Sequence, residues 1–84
     1  MKDYLNEVII KVKEMLPEGT SVDSDAPLCA ELGLSSMQIA QLAFELEESF
    51  DIEIPDAAFK SDMTAMDFAE IIRSEMEKNR ILGG

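Results

Sequence analysis

The chain has 84 residues, with seven Lys+Arg against 18 Asp+Glu, a formal charge of −11, one cysteine and no histidine. That length accommodates one small domain, spanning 1–84, with a thin core; at 46% hydrophobic residues it is too apolar for a disordered acidic tail. The charge argues against nucleic-acid backbones and anionic lipid surfaces as partners, and the missing histidine and single cysteine exclude Ser-His-Asp chemistry, His-ligated zinc and an internal disulfide.

Residues 3–16 place Leu5, Val8, Ile9, Val12 and Met15 on one helical stripe. Pro17 disfavours helical geometry at Leu16 and Gly19 relaxes the exit, so the spacing predicts a helix ending there. A long loop follows over 17–35, with Leu28, Leu32 and Cys29 available as apolar anchors. A second helix is predicted over 36–50, burying Ile39, Leu42, Ala43, Leu46 and Phe50. Asp51 to Pro55 alternates too briefly for a sheet and reads as a connector that drops Ile52 or Ile54 into the core. Asp56 reads as the N-cap of a short helix over 57–60 with Phe59 inward. Thr64 and Asp67 resemble a capping box, and Ala65, Phe68, Ala69, Ile72 and Met76 form the stripe of a last helix over 65–80, followed by a flexible tail over 81–84. The predicted fold is all-α, a small antiparallel four-helix bundle of three longer helices and a short one.

The chemistry concentrates at the start of the second helix. With Ser35 as N-cap, Gln38 becomes N3 and completes a Ser-x-x-Gln capping box, which occupies the Ser35 hydroxyl. Ser36 then stands at N1 with its hydroxyl free, at the positive end of the helix dipole, where a phosphodiester is well placed. No His or Lys nearby in sequence activates Ser36 as a nucleophile, so it reads as an acceptor modified by another protein. A hydrolase elbow fails because Met37 stands where glycine is required, and calcium loops starting at Asp23 or Asp51 have Leu28 and Asp56 at the glycine position.

Glu31-Leu32-Gly33-Leu34-Ser35-Ser36-Met37, followed by Phe44-Glu45-Leu46-Glu47-Glu48-Ser49-Phe50-Asp51-Ile52-Glu53-Ile54-Pro55-Asp56, resembles the acyl carrier proteins. The likeness spans nearly the whole chain in length, helix placement and charge. It implies a non-catalytic carrier in which a separate phosphopantetheinyl transferase attaches 4′-phosphopantetheine from coenzyme A to Ser36. The arm's thiol would then hold acyl groups for fatty-acid or polyketide-type enzymes. Those enzymes would dock basic patches on Met37, Gln41, Phe44, Glu47, Glu48 and Asp56, with binding that weakens as salt rises. No base lies between Ser36 and Lys60, which agrees with such docking. The resemblance further implies that Leu46, Ile54, Phe59, Ala69 and Ile72 line an acyl pocket, eased by Ala43 and Met63.

The chain departs from the family's acidic-Leu-Gly-x-Asp-Ser-Leu pattern at Ser35 and Met37, and has Gln38 and Gln41 where housekeeping members are often acidic. These differences point to a specialised carrier with restricted partners. An aminoacyl or peptidyl carrier using the same arm and an unmodified acidic adaptor are the rival readings. The terminal Leu82-Gly83-Gly84 resembles ubiquitin-like modifiers, but the helical periodicity at both ends opposes their strand-rich fold. With no basic start leading into an apolar run and no stretch of membrane-spanning length, the chain is expected to be a cytoplasmic monomer.

Overall fold

The computed structural model describes residues 4–60 and 62–82. Its regular elements are α1 (Tyr4–Glu14), α2 (Ser36–Phe50), a single 3₁₀ turn (Asp56–Ala58) and α3 (Ala65–Leu82), with no strand among the described residues. The all-helical class agrees with the sequence. The fourth helix is reduced to that one turn.

Helix α1 buries Val8 and Val12 completely and leans Leu5 and Ile9 on the same core, which Met15 joins just past its end. It closes two residues before the predicted end. Beyond Glu14, the N–H groups of Met15 and Leu16 reach back three residues, to the carbonyls of Val12 and Lys13 at 3.0 and 3.2 Å. A proline at 17 keeps Leu16 out of the α conformation, so the last turn tightens instead of continuing.

The loop from 15 to 35 has no regular helix, yet it is firmly attached. Leu28 and Leu34 are buried, the Leu28 N–H donates to the Met63 carbonyl at 2.8 Å, and the Met66 N–H donates to Ser24 at 3.1 Å. The first bond fastens the loop to the segment that leads into α3, and the second to the first turn of α3 itself. Gly33 has φ of +79°, a left-handed conformation that turns the chain into α2 and that residues with a Cβ rarely adopt.

The α2 boundaries are those read from the sequence. Its far end closes on Asp51 in the left-handed conformation, φ 55° and ψ 52°, with the Asp51 N–H donating to the Glu47 carbonyl. Ile52 and Ile54 both enter the core, where one had been expected. The expected cap at Asp56 is not made. Pro55 occupies the cap position without a side-chain bond, and Asp56 is itself the first residue of the turn, which ends at Ala58 instead of 60. Proline's fixed φ and missing N–H suit that entry.

Helix α3 opens with the capping box read from Thr64 and Asp67. The Thr64 N–H donates to the Asp67 carboxylate at 3.0 Å, and the Asp67 N–H donates to the Thr64 hydroxyl at 3.1 Å. The helix continues to Leu82, so positions 81 and 82 are helical where a tail was expected. Gly83 and Gly84, and the reading placed on them, lie outside the described residues.

Helix α3 packs chiefly against α1, while α2 meets both less extensively. Phe68, Leu28, Leu42, Leu46 and Met63 are among the largest fully buried side chains. No polar or charged residue is buried among the described residues. The core side chains therefore carry no unpaired buried charge, and apolar contact is what they contribute.

Candidate carrier site

Helix α2 begins with two serines that do different work. The Ser35 hydroxyl accepts the Gln38 N–H at 3.1 Å, and the Gln38 side-chain oxygen accepts the Ser35 N–H at 2.9 Å. This completes the reciprocal box and occupies Ser35. Ser36 is the first helical residue, exposed, and takes no part in that box. It stands where unpaired backbone N–H groups and the helix dipole favour an anion.

At about 100° per residue, Ser36, Met37, Ala40, Gln41, Phe44 and Glu48 share one side of α2, and all six are exposed. The opposite side holds Ile39, Leu42, Ala43, Leu46 and Phe50, all buried. Met37 is 80% and Phe44 58% exposed, unusually open for side chains of that size and polarity. The Gln41 amide donates to Glu45 at 3.4 Å. From Ser36 through Phe44 this helix bears no charge, and its acids begin at Glu45.

A cavity of about 480 Å³ opens beside Ser36, between the flank of α2 and the chain that runs from Ile54 to Met63. Ile39, Ala43, Ile54, Phe59 and Met63 supply its apolar wall, with Cys29, Glu47 and Lys60 among the polar residues that border it. Phe59 is held edge-on against Phe68, ring centroids 6.2 Å apart, which ties this wall to α3.

Of the five residues expected to line an acyl pocket, Ile54 and Phe59 border this cavity. Leu46, Ala69 and Ile72 do not. They are buried in the core and are not among the residues bordering the gap between α2 and the connector, although Leu46 shares its stripe with Ile39 and Ala43, which do border it. Ala43 and Met63 line it, and Ile39, Cys29 and Lys60 join them unanticipated.

Three carboxylates shape the surroundings. Asp62 receives the N–H groups of Cys29 and Ala30, one on each oxygen, at 3.0 and 3.1 Å. This caps the turn that carries Cys29 toward the cavity. Burial pushes the Cys29 thiol up from its ordinary pKa, and the neighbouring Asp62 charge and hydrogen bond add to that. The thiol is half-buried and packs against the core, as a small apolar residue does. Asp67 lies below the usual carboxylate range. Burial there raises its pKa, but the bond from the Thr64 backbone and the interaction with Lys60, at 3.2 Å, outweigh it. Glu47, expected only on a docking surface, turns out half-buried, and its carboxylate accepts the Ile54 N–H at 2.7 Å. Glu48 and Asp56 are exposed.

A family model described as the phosphopantetheine attachment site matches residues 6–72. The chain is 36% identical over 75 residues to an acyl carrier protein of Prochlorococcus marinus (strain MIT 9515), covering 88% of this chain and 94% of that protein. It is 32% identical over 72 residues to an acyl carrier protein of Sulfurovum sp. (strain NBC37-1), covering 86% and 93%. The chain belongs to the acyl carrier protein family. The group held by this family's domain is 4′-phosphopantetheine. An exposed hydroxyl at a helix start, beside a cavity with an apolar wall, is compatible with such a group, because a helix N-terminus favours a phosphodiester and an apolar wall favours apolar atoms. Among the described residues no helix is long and apolar enough to cross a membrane.

Proposed function

We propose that this carrier bears its 4′-phosphopantetheine on Ser36, attached by a separate transferase using coenzyme A, and that the chain has no catalytic activity of its own. The observation that carries the choice of Ser36 is the division of labour at the α2 start. Ser35 is committed to Gln38, while Ser36 is exposed and borders the cavity. When bound, the group supplies a thiol on a long flexible arm, to which an acyl load is joined as a thioester. The protein's part is to fix the attachment point, to favour the phosphodiester charge at the helix start, and to shelter apolar cargo against Ile39, Ala43, Ile54, Phe59 and Met63.

Partner enzymes of fatty-acid or polyketide-type synthesis dock, in this reading, on the exposed side of α2. Met37 and Phe44 offer apolar contact near the attachment point; Gln41 offers hydrogen bonds; Glu47, Glu48 and Asp56 attract a basic rim farther along. The uncharged front of this helix supports a specialised carrier whose partners recognise shape and apolar contact there. Mass spectrometry after incubation with a phosphopantetheinyl transferase and coenzyme A tests the attachment. One phosphopantetheine mass is expected on the wild-type chain and on Ser35→Ala, and none on Ser36→Ala. Addition that survives Ser36→Ala overturns the assignment.

A further inference from the structure

Glu47 sits on the border between the exposed and buried sides of α2, and two different groups of this one residue hold the chain that follows. Its backbone carbonyl accepts the Ile52 N–H at 3.1 Å, while its side-chain carboxylate accepts the Ile54 N–H at 2.7 Å. Ile54 is buried, and both Glu47 and Ile54 line the cavity beside Ser36. The short distance is that of a charge-assisted bond, about twice as strong as a neutral one. The connector between α2 and the Asp56–Ala58 turn has no regular helix to hold it, so this bond fixes the cavity wall at Ile54.

We propose that Glu47 is a positioning residue for the cargo cavity: its carboxylate holds the Ile54 wall in place and so determines how well the cavity shelters what the carrier bears. The sheltering consequence rests on the carrier function proposed above; the hold on Ile54 does not. Neighbouring Glu48 carries the same charge but is exposed, so it serves partner attraction alone, while half-buried Glu47 adds an internal hold to the charge it lends that end of α2. Removing the Glu47 carboxylate leaves the Ile54 N–H without its acceptor and frees the wall. The Ile52 bond survives, because a backbone carbonyl makes it.

Amide hydrogen exchange on the full chain, resolved at Ile52 and Ile54, tests the hold. Glu47→Ala should accelerate exchange at Ile54 on the order of tenfold or more and leave Ile52 unchanged. Glu47→Gln keeps an acceptor oxygen and should restore most of the Ile54 protection. Ile54 exchange unaltered in Glu47→Ala, or Ile52 accelerated equally, overturns the proposal; the second result would make Glu47 a general support for the helix end. A second arm uses the chain loaded with an octanoyl group and follows its release by hydroxylamine. Release several-fold faster in Glu47→Ala, and near wild type in Glu47→Gln, is expected. Unchanged release despite a loosened Ile54 amide refutes the sheltering role. Failure of the wild-type chain to accept any load overturns the carrier site instead, and the exchange result still decides the hold on Ile54.

Discussion

Asp62 and Asp67 are carboxylates five residues apart that both receive backbone N–H groups, yet over very different separations in the chain. Asp67 closes a box with Thr64 three residues away and pairs with exposed Lys60, a surface contact worth little by itself. Asp67→Ala should therefore cost about 1 kcal/mol, mostly through the lost cap, measured by denaturant unfolding. Because the folded pKa of Asp67 is depressed, its stabilisation is present above the ordinary carboxylate pKa and is lost as pH falls through the folded value. The difference between wild type and Asp67→Ala should be full at neutral pH and shrink in strong acid. Asp62 reaches 32 and 33 residues back, to Ala30 and Cys29, and adds its charge to the burial that raises the Cys29 thiol pKa. Alkylation of Cys29 by iodoacetamide at neutral pH should be slower than that of a free thiol, and Asp62→Asn should accelerate it. Equal rates in both proteins would show that Asp62 exerts no electrostatic hold on the thiol.

The elements differ in how their ends are built. Helix α2 begins well, on a complete capping box and a glycine suited to its positive φ. It ends less well. Asp51 adopts a left-handed conformation that glycine tolerates better, and it adds a negative charge at the negative end of the helix dipole. Asp51→Gly should stabilise the domain by about 0.5–1 kcal/mol, a few degrees in melting temperature for a chain of this size. The Asp51 N–H bond to Glu47 would remain, since any residue but proline supplies it. At the other end, Gly33→Ala meets no neighbouring atom, so its expected cost of about 1 kcal/mol is conformational strain alone. A neutral result for Asp51→Gly would mean that the aspartate makes a compensating local interaction.

At the scale of the whole molecule, 18 acids on so small a body repel one another. Added salt should raise the melting temperature by screening that repulsion, while the proposed partner docking through the acidic end of α2 should weaken under the same change. Mild acid acts in the same direction on stability until groups such as Asp67, which stabilise the fold only when charged, become protonated. A stability maximum below pH 7, on the order of pH 5, is the expected outcome. Melting temperatures flat across salt and pH would remove self-repulsion as a significant factor.

The sequence by itself determined the three long helices, their buried stripes and both capping boxes. Those features rest on residues three or four apart, whose contacts follow from helical geometry whatever else the chain does. The distinction between Ser35 and Ser36 was legible for the same reason. The end of α1 was read two residues too long, because proline forbids the α conformation without saying how the preceding turn tightens. Only the tertiary structure decided which apolar residues face the cavity. Leu46 and Ala43 share a stripe, and whether each meets the core or the gap depends on where the Ile54–Met63 segment lies across α2. The same holds for Asp62 on Cys29 and for Glu47 on Ile54. A carboxylate's partner is whichever N–H the folded chain brings within 3 Å, and folding brings together groups that no local spacing pairs.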